Sequence, residues 1–267
     1  MTKVKHDTSY YPGAKAITLL CFFILYTPLL VISLYSFNSL RSITTWGEFT
    51  FDWYIKAFNN PALQSATANS LIIAVSAASI ATIIALAAAM GLLRGNPLKK
   101  QAMLGGLIQL PLLLPEIITA VASLIFFIAI DITLGLGTIL IAHIVFCIPF
   151  AYLPISTRFK DINQRFDEAA YDLYASRWKA FRYVTLPLAM PGIMSGFMLA
   201  FIVSLDDFIV ANMVAGPGSS TLPMAIYSLV RLGLTPEINA ISTLLLLTSI
   251  FFVAASWWFN RAASNLK

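Results

Sequence analysis

Charge is what this sequence has least of. Charged residues fill 11% of its 267 positions and apolar ones 59%, against roughly 25% and 45–50% in soluble domains. That shortage excludes a soluble globular protein, which needs far more polar surface. Cysteine is nearly missing. Cys21 and Cys147 both fall in apolar stretches, so no disulfide framework or thiolate metal site is expected, only two free, buried thiols. Histidine is as rare, with two residues and no cluster to hold a metal. The pattern G-x-x-x-x-G-K-[ST] is absent, which excludes nucleotide binding by a P-loop. No internal repeat and no low-complexity segment is present, and nothing calls for a cofactor.

What the chain does have is long apolar runs. A bilayer core about 30 Å thick is crossed by a helix of about 20 residues. Six such spans are expected, at 16–35, 69–93, 104–129, 138–156, 192–214 and 240–259. The first is too long for the apolar core of a cleaved signal peptide, and no small-x-small cleavage site follows Tyr35. Basic residues set the orientation. Lys3, Lys5 and Lys15 precede the first span. Arg94, Lys99 and Lys100 lie between the second and third. Arg158, Lys160, Arg165, Arg177, Lys179 and Arg182 lie between the fourth and fifth, and Arg261 and Lys267 follow the sixth. The opposite side keeps only Arg41, Lys56 and Arg231. Both termini are therefore expected in the cytoplasm. The net charge of +5 is this bias and implies no nucleic-acid partner. The fold class is an all-α integral membrane protein with six transmembrane helices, expected to form one transmembrane domain over residues 1–267.

Carboxylates are costly inside a membrane, about 2.5–3.5 kcal/mol on insertion scales, and so mark candidate sites. Glu116 follows the run from Pro111 to Pro115, where two prolines remove backbone donors and break the helix. It reads either as part of a transport pathway or as the outer end of a kinked span. Asp206 and Asp207 are adjacent in the fifth span, about 100° apart on a helix, and cannot share a face. Asp206 projects within about 20° of Ser195, which makes a polar stripe and favours Asp206 as the carboxylate facing a pore, with Asp207 as an anchor to a neighbouring helix. His143, mid-span, reads as an interhelical hydrogen-bonding group before a proton relay. The first outer loop, about 33 residues, holds Phe49, Phe51, Trp53, Tyr54 and Phe58. This cluster is either an interface belt or a cage for an organic cation. A short amphipathic run from Leu222 to Leu232 follows the fifth span.

One polar stretch interrupts the apolar chain: Asp167-Glu168-Ala169-Ala170-Tyr171-Asp172-Leu173-Tyr174-Ala175-Ser176, followed by Leu186-Pro187. It resembles the EAA loop of ABC-importer permeases, whose pattern is E-A-A, three residues, G, nine residues, I-x-L-P. Glu168, Ala169, Ala170, Leu186 and Pro187 match, and Val184 replaces the Ile. Tyr174 stands at the Gly position. A bulky side chain is strained where φ is positive, so the turn relaxes, or the partner's cleft accepts a ring, or coupling is weakened. Further stretches resemble the spermidine/putrescine-type branch of that family: Phe51 to Tyr54, Leu114 to Ile118, His143 to Phe150, Leu205 to Asp207, Thr221 to Pro223, Ile226 to Ser228 and Pro236 to Ala240.

The resemblance implies a type I ABC-importer permease fold and a bacterial inner-membrane location, with no catalytic residue in this chain. It implies a second homologous permease, two copies of a separate ABC ATPase and an external solute-binding protein as partners. Residues 157–191 become the cytoplasmic coupling loop, with Glu168, Ala169, Ala170, Tyr174, Leu186 and Pro187 facing the ATPase. Trp53, Glu116, Asp206 and Asp207 become the substrate pathway for a polyamine. Another small solute is the alternative within the family. An ion-coupled secondary transporter is the rival outside it, and would call for an internal repeat and leave the EAA-like loop unexplained.

Overall fold

A computed structural model describes residues 13–42, 45–93, 101–162, 165–233 and 236–264, and helices account for nearly all of them. Five helices are long and apolar enough to cross a membrane, or six if a pair bent by 100° counts as one span. By contacts the chain divides into two compact units. One runs through Asn59 and adds Leu229–Leu244; the other comprises Asn60–Ser228 and Leu245 onward.

In the first unit, helix α1 (Ala14–Tyr35) is apolar on every side and buries no residue. Cys21 lies on it and is exposed, which corrects the expectation of two buried thiols; Cys147 alone is buried. The thiol had been placed by hydropathy, and a lipid-facing residue is as apolar as a core one. The loop after α1 folds around Asn38. This side chain is fully buried, donates to the carbonyls of Ser42 and Thr45, and accepts from the amide of Gly47. Short helix α2 (Asp52–Phe58) follows.

The second unit begins at helix α3 (Pro61–Leu93). Asn60 caps it by accepting from the amides of Ala62 and Leu63, and Pro61 occupies the first helical position, where no amide partner is needed. Ala74, Ala78, Ala81, Ala85 and Ala89 repeat at three or four residues and are fully buried. They form a flat stripe that lets neighbouring backbones approach. Helix α4 (Gln101–Gln109) runs into a 3-10 turn at Leu110–Leu113, and helix α5 (Glu116–Ala129) leaves it at 100°. Pro111 and Pro115 cause the bend, as the sequence predicts.

Helix α6 (Leu136–Asp161) packs against α3. Helices α7 (Arg165–Asp172) and α8 (Arg177–Ala180) follow, then a π-helical turn at Phe181–Thr185. Helix α9 (Leu186–Asp206) carries Gly192 and Gly196 against α6. A Cβ at Gly196 would stand 2.7 Å from the carbonyl oxygen of Ala151, so the two backbones meet with no room between them. The remaining helices are α10 (Ile209–Val214), α11 (Leu222–Leu232) and α12 (Pro236–Ser264). The expected fifth span, 192–214, is therefore corrected: it starts earlier and stops at Asp206. No proline or glycine causes this break. Asp207 is extended, with ψ 128°, and its side chain caps the following helix.

Two cores hold the second unit. One joins α3, α6 and α9 through residues such as Ala81, Ile155 and Phe201. The other gathers Ile73, Ala120, Phe127, Ile139 and Val210 around α10.

Candidate functional site

The two broken helices meet through their acids. Glu116 opens α5 and Asp207 precedes α10, and their carboxyl groups lie near enough to interact. Asp207 is buried. Its Oδ1 accepts from the Val210 amide at 3.3 Å and its Oδ2 from the Ala211 amide at 2.8 Å. Two of the amide groups that a helix start leaves unpaired are thus satisfied. His143 of α6, fully buried, completes the cluster. Its Nδ1 is 2.8 Å from the Ser204 hydroxyl. Its Nε2 stands 3.0 Å from Asp207 Oδ2, an ion-pair distance at which the ring N–H is turned off the contact line. Asp207 is thus tied to α5, α6 and α10, the role of an anchor.

Asp206 is arranged differently. It is exposed, and its carboxylate accepts a bifurcated bond donated by Ser249 of α12, at 3.0 and 3.2 Å. A carboxyl held by one hydroxyl keeps lone pairs for a further donor. The polar stripe expected between Asp206 and Ser195 does not form. Ser195 is fully buried, between Gly192 and Gly196 on the face of α9 turned to α6. Angular position alone placed it correctly, but the close packing of that face shuts it from any pathway.

Trp53 is buried too. It is 5% exposed, donates its indole N–H to the Asn38 carbonyl at 2.7 Å, and holds the Lys56 ammonium 4.4 Å from its ring centre. A cation–π partner is therefore already supplied by the chain itself. Between residues 45 and 58 the exposed aromatics are Trp46, Phe49, Phe51 and Phe58. Phe37, stacked on Phe49 at 5.1 Å, also meets Phe51 and Tyr54. Sequence reasoning missed Asn38, the hub of this loop, whereas the reading of His143 as an interhelical hydrogen-bonding group holds, with Ser204 of α9 as its partner. Nothing in the residues near Asn38 signals its role, whereas a lone polar residue in an apolar run did mark His143.

At the other end of α9 lies the segment from Arg165 to Thr185. Glu168 and Ala169 are exposed and Ala170 is half-buried. The Thr185 hydroxyl donates to Asp167 at 2.6 Å, and Arg158 Nε donates to the Leu188 carbonyl at 2.8 Å, so α7 and the end of α6 are both fastened to the start of α9. The turn after α7 is a Schellman motif. The Ala175 amide bonds back to the Ala170 carbonyl at 3.0 Å and the Tyr174 amide to Tyr171 at 2.9 Å. Its left-handed residue is Tyr174, with φ 57°. The turn has therefore not relaxed, and a conformation that costs a non-glycine residue about 1–2 kcal/mol is retained. Ser176 immediately caps α8 by accepting from the Lys179 amide. Tyr174 is 98% exposed. Leu186 is half-buried and Pro187 exposed. Asn163, in the expected loop, lies outside the described residues.

Residues 81–264 match the family described as "Binding-protein-dependent transport system inner membrane component". Among curated proteins, the chain is 40% identical over 241 residues to the putrescine transport system permease protein PotI of Escherichia coli K12, covering 88% of this chain and 86% of that one. It is 38% identical over 232 residues to the spermidine/putrescine transport system permease protein PotC of the same strain, covering 87% and 88%. Against PotC of Haemophilus influenzae the identity is 38%, with 89% and 92% covered. Among solved structures, a chain of a bacterial ABC transporter that imports the acidic polysaccharide alginate superposes with a TM-score of 0.66 at 17% identity, over 90% of this chain and 93% of that one. A chain of the inward-facing MetNI methionine ABC transporter gives 0.64 at 18% identity, over 76% and 96%. These last two establish the fold.

Proposed function

Because the chain belongs to the family of binding-protein-dependent transport system inner membrane components, we propose that it forms one half of a translocation pathway for polyamines such as putrescine and spermidine. It is a permease subunit of an ABC importer, not an enzyme, and it is a multi-pass protein of the bacterial plasma membrane. Membership implies a partner permease, an ATPase and a solute-binding protein. We read these as a heterodimer of homologous permeases, two ATPase copies and an external binding protein.

The observation that carries the proposal is the contrast between the two acids at the end of α9. Asp207 is spent on holding helices together. Asp206 is exposed at the break with one hydroxyl partner, so it is the acid available to an ammonium group passing through. Glu116, in contact with Asp207 rather than Asp206, helps set the site without facing the substrate alone. Trp53 acts on the pathway by fixing its loop. The relatives named for putrescine and spermidine support the substrate class. Their names do not separate the two polyamines, and another small solute is the alternative.

Coupling is proposed to run through α7, with Glu168, Ala169 and Ala170 facing the ATPase and Tyr174, Leu186 and Pro187 flanking them. The Asp167–Thr185 bond joins this segment to α9, whose 21 residues span ~31 Å to Asp206. Movement of the docked loop thereby reaches the acid directly.

Uptake of labelled putrescine and spermidine in a strain lacking its own systems tests the reading. Restored uptake that competes with unlabelled polyamine is expected. Uptake indifferent to both polyamines, with the complex assembled, refutes the substrate. Replacing Glu168 by Lys is expected to leave the protein in the membrane and to abolish ATP-driven uptake.

A further inference from the structure

Tyr174 is the one residue of the α7–α8 turn whose presence the chain itself does not explain. A Schellman turn favours glycine at its left-handed position, and this turn keeps that geometry with Tyr in it, at φ 57°. The strain has no visible return within the chain. The side chain is 98% exposed, and among the described residues it makes no hydrogen bond and stacks on no ring. The turn does not yield because both sides fix it. The Ala175–Ala170 and Tyr174–Tyr171 bonds close it from α7, and the Ser176 cap closes it from α8. Strained residues persist where the surroundings over-determine them, and they cluster at functional sites.

The left-handed backbone also directs the ring. A side chain there leaves the helical path instead of lying back along α7, so the ring is presented at the tip of the segment. Leu173, 82% exposed, precedes it and Trp178, 68% exposed, lies on the next helix. The patch is continuous with the end of α7, four residues beyond Ala170. Large, rigid aromatics carry much of the energy of protein interfaces.

We infer that Tyr174 is a specificity-determining anchor of the coupling interface: its ring inserts into an apolar pocket on the ABC ATPase subunit, which a glycine in this position leaves empty. The inference rests on the proposal that α7 docks on that ATPase. The pocket belongs to an ATPase matched to this permease, so the ring selects the transporter's own ATPase against those that serve other importers.

The test uses the permease pair reconstituted in nanodiscs and the purified ATPase subunit of the same transporter, with binding measured for wild type, Tyr174→Gly, Tyr174→Phe and Glu168→Lys. Glycine relieves the turn, so slower amide exchange at Leu173 and Ala175 is expected in Tyr174→Gly. The same variant is expected to bind the ATPase about tenfold more weakly or worse, which a misfolded loop cannot explain once exchange has slowed. Tyr174→Phe keeps the ring and should bind within about twofold of wild type. Undiminished binding by Tyr174→Gly, while Glu168→Lys loses it, overturns the inference and leaves the docking of α7 standing. Undiminished binding by both variants overturns the docking as well. If Tyr174→Gly loses affinity only in nanodiscs rich in anionic lipid and not in neutral ones, the ring meets headgroups instead, and the inference also falls.

Discussion

Asp206 and Asp207 are neighbours with opposite surroundings, and their substitutions should differ in kind. Asp206→Asn removes charge and keeps shape. It should cut polyamine uptake by roughly tenfold, the loss expected of one charge-assisted hydrogen bond, at unchanged amounts of assembled complex. Asp207→Asn leaves an amide where Val210 and Ala211 both donate, and it deserts His143. Hydrogen bonds to a charged group contribute about 1.5–3 kcal/mol, so the yield and melting temperature of the purified complex should fall. Full uptake with Asp206→Asn would show that its charge is not used. The sequence singles out this pair because carboxylates in apolar runs are few. Ser195 was misread as lining the same face because helical angle says nothing of what packs there. Trp53 shows the same limit: an aromatic next to a span reads as an interface belt or a cage, yet its indole holds a loop. Trp53→Phe loses the bond to Asn38, worth about 1 kcal/mol, and should speed proteolysis within residues 36–60 without removing the ring.

At the scale of elements, hydropathy recovers the spans and proline recovers the bend at Glu116. It does not recover the break at Asp206. That break is made by a capping carboxyl, and the signal, an Asp two residues before Ile209, is outweighed in an apolar run by its neighbours. The contact of α9 with α6 was also legible in principle, as Gly192-x-x-x-Gly196, but only the structure says which helix it meets. Gly196→Ala places a methyl group 2.7 Å from the Ala151 carbonyl, backbone that cannot move aside. A loss of roughly 1–3 kcal/mol is expected, read as a lower melting temperature in detergent and reduced membrane level. Thr185→Val tests the other end of α9. It deletes the bond to Asp167 and should leave assembly intact while lowering solute moved per ATP hydrolysed. A normal ratio would mean that the Thr185–Asp167 bond is not needed for coupling.

For the whole molecule, orientation rests on the distribution of Lys and Arg, and labelling checks it. In a Cys21→Ser background, Cys at the exposed Ser220 should react with an impermeant thiol reagent from outside. Cys at the exposed Arg177 should react only after permeabilisation. The reverse pattern would turn the α7 segment away from any ATPase. Sequence also makes the fold class plain, since charge scarcity and span length leave few alternatives. It leaves the inner arrangement obscure because lipid-facing and core-facing residues are equally apolar. Exposed Cys21 on α1 and buried Cys147 on α6 had looked alike for that reason.

The alanine stripe of α3 and the paired glycines of α9 have a mechanical consequence. Where side chains interdigitate, a push can be absorbed by rotamer changes along the way. Alanine and glycine have no rotamers to change. With the Ala151 carbonyl set directly against Gly196, α6 and α9 meet there with no side chain between them, while Ile155 and Phe201 fill the core around that contact. On the proposed coupling route, a displacement entering at Thr185 meets this backbone-on-backbone contact before it reaches Asp206, and a methyl group added at Gly196 would force the two helices apart there.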